Sequence, residues 1–199
     1  EHKGEFWEFP SSTSCPKPVQ KPHPPVWVAA RSPITYDYAI KNKCNVMSWP
    51  LTRPFSEAEL YKKQLDDAIA NHKSSFKPIF AMMRHAAVYT NDSDKQKALN
   101  SIRTVLGQFE NLFKNLGEVE NGFTKQIPLN ELEGREQYDP NMLTKNLLFG
   151  TPEEIIEKLK LYQNLGVDEF IYYASMGLGH KEQKKSLKLF IEEVMPEFA

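Results

Sequence analysis

Val26-Trp27-Val28-Ala29-Ala30-Arg31-Ser32-Pro33-Ile34-Thr35-Tyr36 sets a short apolar run directly against a helix-start signal. Val26 to Ala30 is continuously apolar, as in a strand covered on both faces. Ser32 suits an N-cap with Pro33 at the first helical position, where the missing N–H costs nothing. Tyr36, Ala39 and Ile40 give the ensuing helix an apolar face. A strand that passes into a helix without a loop leaves free N–H groups at the carboxyl end of the sheet, where the helix dipole favours an anion. From these residues alone two readings stand: a plain N-cap, or a phosphate cradle at Ser32 with Arg31 beside it.

The same order of elements repeats along the chain. Asn45 to Trp49 is a second short strand closed by Pro50, and Ser56 with Glu59 has the spacing of a capping box before a helix whose apolar stripe is Ala58, Tyr61, Leu65, Ala68 and Ile69. Pro78 to Tyr89 predicts a third strand. From Asp92 or Ser93 a helix follows with Ala98, Ile102, Val105, Phe109, Leu112 and Leu116 on one face, ended by Gly117. Residues 118–147 are polar and irregular, long enough for a surface insertion or lid. Gly150-Thr151-Pro152-Glu153-Glu154 then combines a Thr cap, a first-turn Pro and a reciprocal Glu; Ile155, Leu159 and Tyr162 form the buried stripe, and Gly166 ends the helix. Phe170 to Ala174 is the fourth strand. A last helix spans Glu182 to Met195, with Leu187, Phe190, Ile191 and Val194 facing inward. Residues 1–25 carry Pro10, Pro16, Pro18, Pro22, Pro24 and Pro25 and are expected to be an extended arm without regular structure.

Four strands alternating with helices imply parallel pairing and right-handed crossovers. Two architectures fit: an open doubly wound sheet, or part of a (β/α)8 barrel, whose full complement takes about 250 residues. The 199 residues contain 25 Lys plus Arg against 26 Asp plus Glu, a formal charge of -1. That balance gives no electrostatic case for nucleic acid or an anionic membrane, and every apolar run is strand-sized, too short for a bilayer span. No leader pattern is read at the N-terminus, and an opening Glu1 raises the expectation of a piece of a longer protein. Cys15 and Cys44 lie outside any metal or redox spacing and are expected as free thiols of a reducing, cytoplasmic compartment.

Several residues could bear chemistry, each with a plainer reading beside it. Trp49, at the end of the second strand, can wall a planar ligand or close the rim of the core. Alternation puts Met83 and His85 on the strand face opposite Met82 and Arg84, so one of these pairs looks into the interior, as a satisfied polar group or as a site. Ala174-Ser175-Met176-Gly177 permits close approach of a ligand or is a simple strand-to-loop turn. The five histidines are scattered with no H-E-x-x-H and no Cys/His cluster, so no metal site is expected. G-x-G-x-x-G after a strand, the P-loop and the G-x-S-x-G elbow are all absent.

Three stretches, in order, resemble a known family. Pro18-Val19-Gln20-Lys21-Pro22-His23-Pro24-Pro25 running into VWVAARSP is similar to the middle of bacterial luciferase-like flavin-dependent monooxygenases. The segment from Gly150-Thr151-Pro152-Glu153-Glu154 to Leu165-Gly166-Val167-Asp168 resembles the same family, as do Ser186-Leu187-Lys188-Leu189-Phe190 and Glu193-Val194-Met195-Pro196. The likeness covers nearly all of residues 4–198. It implies an α/β fold of TIM type, with this chain as the C-terminal half of the barrel: an arm (1–25), two and a half β/α units (26–117), an insertion or lid (118–147) and a last β/α unit (148–199). It also implies oxidation of a small organic substrate with O2 and reduced FMN, or a deazaflavin in some branches. Ser32 would help bind the flavin phosphate, with Ala30 and Arg31 beside it. Trp49 would lie near the flavin ring, and Ser175 and Gly177 at the barrel mouth.

The family's reactive residues come from the other half of the barrel, so no catalytic residue is assigned here and activity of this chain alone is not expected. Half a barrel exposes two sheet edges and an apolar interior, which implies pairing with a second copy or with the N-terminal half. A non-catalytic flavin-binding or subunit-interaction module remains the alternative, and an unrelated sugar-phosphate barrel enzyme a third.

Overall fold

The structure is a computed structural model that describes residues 1–13, 15–112, 118–125, 127–174 and 177–198. The arm opens with a two-residue antiparallel pairing, β1 (His2–Lys3) with β2 (Glu8–Phe9). The prolines therefore do not exclude all regular structure: they begin at Pro10, beyond this small hairpin. Then follow β3 (Trp27–Ala29), α1 (Pro33–Lys41), β4 (Asn45–Ser48), α2 (Phe55–Asn71), β5 (Phe80–Val88) and α3 (Asp92–Leu112). The Leu116 and Gly117 proposed to finish α3 lie outside the described residues. The segment expected to be irregular contains a hairpin of β6 (Val119–Glu120) and β7 (Phe123–Thr124), helices α4 (Leu129–Leu132) and α5 (Pro140–Asn146), and a 3-10 turn between them at Glu136–Tyr138. Its short helices have too few apolar positions to declare a period. After it come β8 (Leu148–Gly150), α6 (Pro152–Leu165), β9 (Glu169–Ala174) and α7 (His180–Leu189), continued by a π-helical turn, Phe190–Val194, and a 3-10 turn, Met195–Phe198.

β3, β4, β5, β8 and β9 form one wholly parallel sheet. Hydrogen bonding fixes who lies where. Ile79 O accepts from Val46 N–H and Tyr89 N–H donates to Gly150 O, whereas Phe80 O accepts from Asp168 N–H. Alternate residues of a strand address opposite edges, so β4 and then β8 occupy one edge of β5 in succession, and β9 occupies the other. β8 was not foreseen, because three residues between an insertion and a capping box are too short for a period-2 signal. Above the end of β9 the edge is closed by a side chain: Ser186 Oγ accepts from Val88 N–H at 2.7 Å and shares a hydrogen bond with Tyr172 Oη at 2.8 Å.

The two faces of the sheet are unlike. Val28 and Ala30, Val46, Phe80 and Met82 pack into a cluster with Tyr36, Ala39 and Ile40 of α1 and with Ala58, Tyr61 and Leu65 of α2. Ala86, Val88 and Tyr172 pack on the same side with Ile155 and Leu159 of α6 and Phe190 and Val194. On the other face, the register aligns Ala29 with Met47 and Ala81, Met83 with Ile171, and His85 with Tyr173. Of these, Ala29 is exposed, as is Trp27 at 39%, and Met47, Met83, Ile171 and Tyr173 are only half-buried. Further along this face Ala87 and Phe149 are covered by Ala98, Leu99 and Ile102 of α3 and Leu143 of α5. An apolar face that its own helices cover only in part is the interior side of a barrel wall seen without the opposite wall.

Helix ends follow local chemistry unevenly. Thr151 forms the expected capping box: its hydroxyl accepts from Glu154 N–H while Glu154 Oε2 accepts from Thr151 N–H, and Gly166 closes the helix at φ 87°. Ser56 does not cap α2, which begins one residue earlier, at Phe55, directly after Pro54. In the last helix Leu187 and Ile191 are exposed rather than buried; Ser186, Phe190 and Val194 face inward, because the π-helical turn keeps a four-residue spacing to the core. Lys158 is buried along α6 and donates to the carbonyls of Thr144, Leu147 and Phe149 at 2.5, 3.0 and 2.8 Å, which fastens the path into β8; burial pushes its ammonium down to about 8.

Two Ser/Thr-x-x-Glu sequences thus differ in the fold, and urea unfolding can separate them. Thr151→Ala should lower stability by about 1 kcal/mol, the worth of an N-cap. Ser56→Ala should stay within about 0.5 kcal/mol, the range of an exposed residue with no special contact.

Candidate flavin and substrate site

The junction of β3 and α1 is built from beneath. Ala30 is buried in the helix-side core, its N–H donates to Met47 O, and its carbonyl accepts from Ser48 Oγ at 2.8 Å and Tyr36 Oη at 3.2 Å. Tyr36 Oη and Ser48 Oγ also bond each other at 2.8 Å, and burial pushes the Tyr36 phenol well above its ordinary range. Ala30 is therefore an anchor, and the chain turns outward immediately after it. Ser32 stands at the N-cap with extended backbone, but its hydroxyl does not cap: it bonds Thr35 Oγ1 at 3.0 Å. Ser32 is exposed and Thr35 half-buried at the N-terminus of a nine-residue helix, beside the N–H of Ile34. Thr35 was not singled out from sequence, although its place one turn after a Ser-Pro start is the signal that finds it.

At the same end of the sheet a cavity of about 870 Å³ opens between the strand ends and the segment 118–147. Arg31, Trp49 and His85 line it from the sheet, and Leu106, Phe109 and Tyr138 are among the residues on the opposing side. Of the residues expected in the site, Arg31 and Trp49 meet here. Ser32 follows Arg31 in the chain but is not itself among the lining residues. Gly177 is not among the lining residues; its φ is +86° and its backbone is so close to α3 that a Cβ would come within 2.9 Å of Ser101 O. Ser175 lies outside the described residues.

The floor of the cavity is an aromatic cluster. His85 stacks on Tyr173 with centroids 4.7 Å apart and an interplanar angle of 22°, and Trp49 meets both rings edge-on at 5.4 and 5.5 Å. His85 has no solvent exposure, and among the described residues neither Nδ1 nor Nε2 has a hydrogen-bond partner; Trp49 Nε1 is likewise buried and unpartnered among them. Burial, and secondarily the Arg84 guanidinium, lower the His85 pKa from 6.5 to about 4, so the ring is neutral near pH 7. A neutral imidazole offers one donor and one acceptor, and a buried polar group left unpaired costs about 1–3 kcal/mol. Such a group at a cavity floor is suited to a ligand that supplies the missing bonds. Arg31 and Arg53 on the rim form no ion pair with a described residue, and the described residues hold no cluster of three or more metal-ligating side chains. Among the described residues no helix is long and apolar enough to cross a membrane, and both Cys15 and Cys44 are free.

The sign of the His85 effect on stability follows from its shift. Between pH 6.5 and 4 the unfolded chain binds a proton there that the folded chain refuses, so stability falls as pH drops through this window. Full development amounts to about 3 kcal/mol at ~1.4 kcal/mol per unit. Urea unfolding of His85→Phe, which keeps an aromatic ring, should have a correspondingly shallower acid limb than the wild type.

The chain is similar in sequence and in fold to known proteins. The sequence pattern of luciferase-like monooxygenases matches residues 1–169. The oxygenase component of a flavin-dependent trigonelline monooxygenase from Acinetobacter baylyi is 35% identical over 199 residues, the whole of this chain and 55% of the relative. An FMNH2-dependent dimethylsulfone monooxygenase from Pseudomonas putida is 28% identical over 179 residues, 83% of this chain and 45% of the relative. The chain thus spans about half the length of the curated relatives it matches. Among solved structures, the monooxygenase RslO1 of Streptomyces bottropensis superposes with a TM-score of 0.72 at 20% identity, over 99% of this chain and 55% of that one. The oxygenating constituent of 3,6-diketocamphane monooxygenase from Pseudomonas putida, in complex with FMN, superposes at 0.68 with 14% identity, over 98% and 57%. At these identities the structural likeness concerns the fold, a parallel sheet corresponding to half of a TIM-type barrel. By sequence, this chain belongs to the luciferase-like monooxygenase family of flavin-dependent enzymes.

Proposed function

We propose that this chain forms the flavin-phosphate and ring-binding wall of an oxygenase that oxidises a small organic substrate with O2 and reduced FMN, a deazaflavin being the other cofactor of the same shape. One observation supports the reading above the rest. At a single end of the sheet, the paired Ser32 and Thr35 hydroxyls at a helix N-terminus lie beside a cavity whose buried His85 and Trp49 nitrogens lack partners. Reduced flavin supplies the electrons for oxygen activation. The residues of this chain bind and orient: Ser32, Thr35 and the Ile34 N–H suit phosphate oxygens, with Arg31 adding charge at the rim. Trp49, His85 and Tyr173 offer an aromatic floor, two rings stacked and the third edge-on to them, whose nitrogens can bond the polar edge of a ring system. Ala30 acts through the backbone it anchors; Gly177 and Ser175 are kept as contacts at the mouth. The segment 118–147 serves as the lid that excludes water, and the substrate is a small molecule of the kind named for the relatives.

The partly uncovered apolar face and the free edges of β3 and β9 favour pairing with a second copy or with a complementary half-barrel. The free thiols suit a reducing, cytoplasmic setting. Because the chain spans about half of its relatives' length, a second reading is a flavin-binding or subunit-interaction module without turnover of its own.

Fluorescence titration of this chain with FMN tests the proposal. Joint Ser32→Ala and Thr35→Val substitution should weaken binding by about tenfold, the loss of one to two hydrogen bonds to a charged group. Equal affinity in the variant contradicts the phosphate assignment. Size-exclusion chromatography should give a species larger than a 23.0 kDa monomer, and a dilution-resistant monomer contradicts the pairing.

A further inference from the structure

The loop between β4 and α2 is held unusually firmly. Leu51 O and Arg53 O accept from Arg84 Nη1 at 3.2 and 2.8 Å, Pro54 O accepts from Arg84 Nη2 at 3.4 Å, and Thr52 O accepts from Asn146 Nδ2 at 3.0 Å. Four consecutive carbonyls are therefore each bound by a side chain at least 30 residues away. The turn is tightened further by Arg53 N–H donating to Pro50 O at 3.0 Å and by Leu51 at φ 56°.

The clamp itself is costly. Arg84 has no solvent exposure, and its remaining donor, Nε, goes to Tyr162 Oη at 2.7 Å. It forms no ion pair with a described residue. A buried guanidinium satisfied by neutral acceptors alone is destabilising relative to an apolar residue of similar size. A fold that needed only to close this loop could do so with backbone bonds. What the clamp adds is a fixed position for whatever the loop presents.

The loop presents Arg53. All of residues 51–54 line the cavity, and Arg53 is the only one with a charged side chain. Its guanidinium is exposed and unpaired among the described residues, in contrast to Arg135, whose charge is spent on Glu110 of the lining at 2.6 Å. Glu110 in turn also accepts from Tyr138 Oη, and the remaining acidic residue on the lining, Glu136, belongs to the opposing 3-10 turn. The phosphate cradle lies one strand away, at the end of β3, where Arg31 already supplies a cation. Between the two arginines stands Trp49. The lining also includes the apolar side chains of Leu106, Phe109, Met142 and Leu143.

Building on the flavin reading above, we propose that Arg53 recognises the anionic group of the substrate, which is therefore an organic oxyanion: a carboxylate or sulfonate on a small apolar body. Arg84 and Asn146 are positioning residues that fix the loop so that the Arg53 fork meets the oxyanion in one geometry. A planar guanidinium suits bidentate pairing with such a group, and a loop already rigid loses little freedom on binding.

The test uses this chain with benzoate and its uncharged counterpart benzamide as probes, read by isothermal titration calorimetry, with FMN titrated in parallel. Benzoate should bind more tightly than benzamide to the wild type. Arg53→Gln should weaken benzoate by at least about tenfold, the worth of a charge-assisted bond, while benzamide and FMN bind as before. Arg84→Lys keeps the charge but not the many-pointed clamp, and should weaken benzoate severalfold while leaving benzamide unchanged, a split that general loosening of the fold would not give. If Arg84→Lys fails to fold, Arg53→Gln, at an exposed position, decides alone. The proposal is overturned if Arg53→Gln leaves benzoate unchanged, if it weakens both probes alike, or if it weakens FMN instead, which would assign Arg53 to the cofactor. A chain that binds FMN but not benzoate overturns this proposal and leaves the flavin reading standing. A chain that binds neither overturns both.

Discussion

The structure depends on the two-sidedness of one strand. β5 runs from Phe80 to Val88 with Phe80, Met82, Ala86 and Val88 set among α1, α2 and α6, and with Met83 and His85 on the opposite face, where Ala87 packs against α3. That alternation puts two polar side chains, adjacent in sequence, into opposite surroundings. Arg84, on the helix side, finds four acceptors in Tyr162 Oη and the carbonyls of residues 51, 53 and 54. His85, on the other side, finds none and is left neutral against Trp49 and Tyr173. A one-residue slip would exchange them, leaving Arg84 uncompensated on an apolar face and His85 in the helix layer. Register, loop position and cavity floor are thus set together.

From this strand the candidate site is assembled by neighbours that each solve a local problem. Ser48 and Tyr36 satisfy Ala30 O and so fix where the first strand hands over to its helix. Arg84 and Asn146 fix where the second does so. β8 covers the exposed end of β5 and carries the chain to Thr151, whose capping box starts α6. Polar side chains anchored in the helix layer therefore position exposed ones at the carboxyl ends of the strands, which is where parallel α/β sheets place their ligands.

Much of this was legible in the sequence, for identifiable reasons. VWVAA and FIYYA are continuously apolar because their strands lie in a parallel sheet, and the Ala98, Ile102 and Val105 part of the α3 stripe and the Thr151 capping box were visible as local patterns. Leu112, expected on that stripe, is instead exposed, and Asn111 is buried, held by the carbonyls of Glu118 and Lys125. Alternation alone separated Arg84 from His85. What could not be read depended on partners distant in the chain. Arg53 looks like any loop arginine until residues 84 and 146 are seen holding its carbonyl neighbourhood. Ser56-x-x-Glu59 imitates a cap because nothing local reveals that α2 starts at Phe55, with Arg84 reaching Pro54 O. The elements of residues 118–147 and the three-residue β8 were too short to show a period, and the inward turn of Ser186 in place of Leu187 depends on a hydrogen bond to Val88, on another element.

The central claim is that the cofactor lies on the partly uncovered face, at the carboxyl ends of the strands. Two-dimensional 1H–15N NMR of this chain with added FMN tests it directly. The account predicts the largest shifts at the amides of Ser32, Ile34 and Thr35 and at the indole N–H of Trp49, with Val46 and Ile155 in the helix-side core nearly unmoved. Shifts gathered instead on the outer surface of α6 and α7, with the Ser32 region and Trp49 silent, would contradict it.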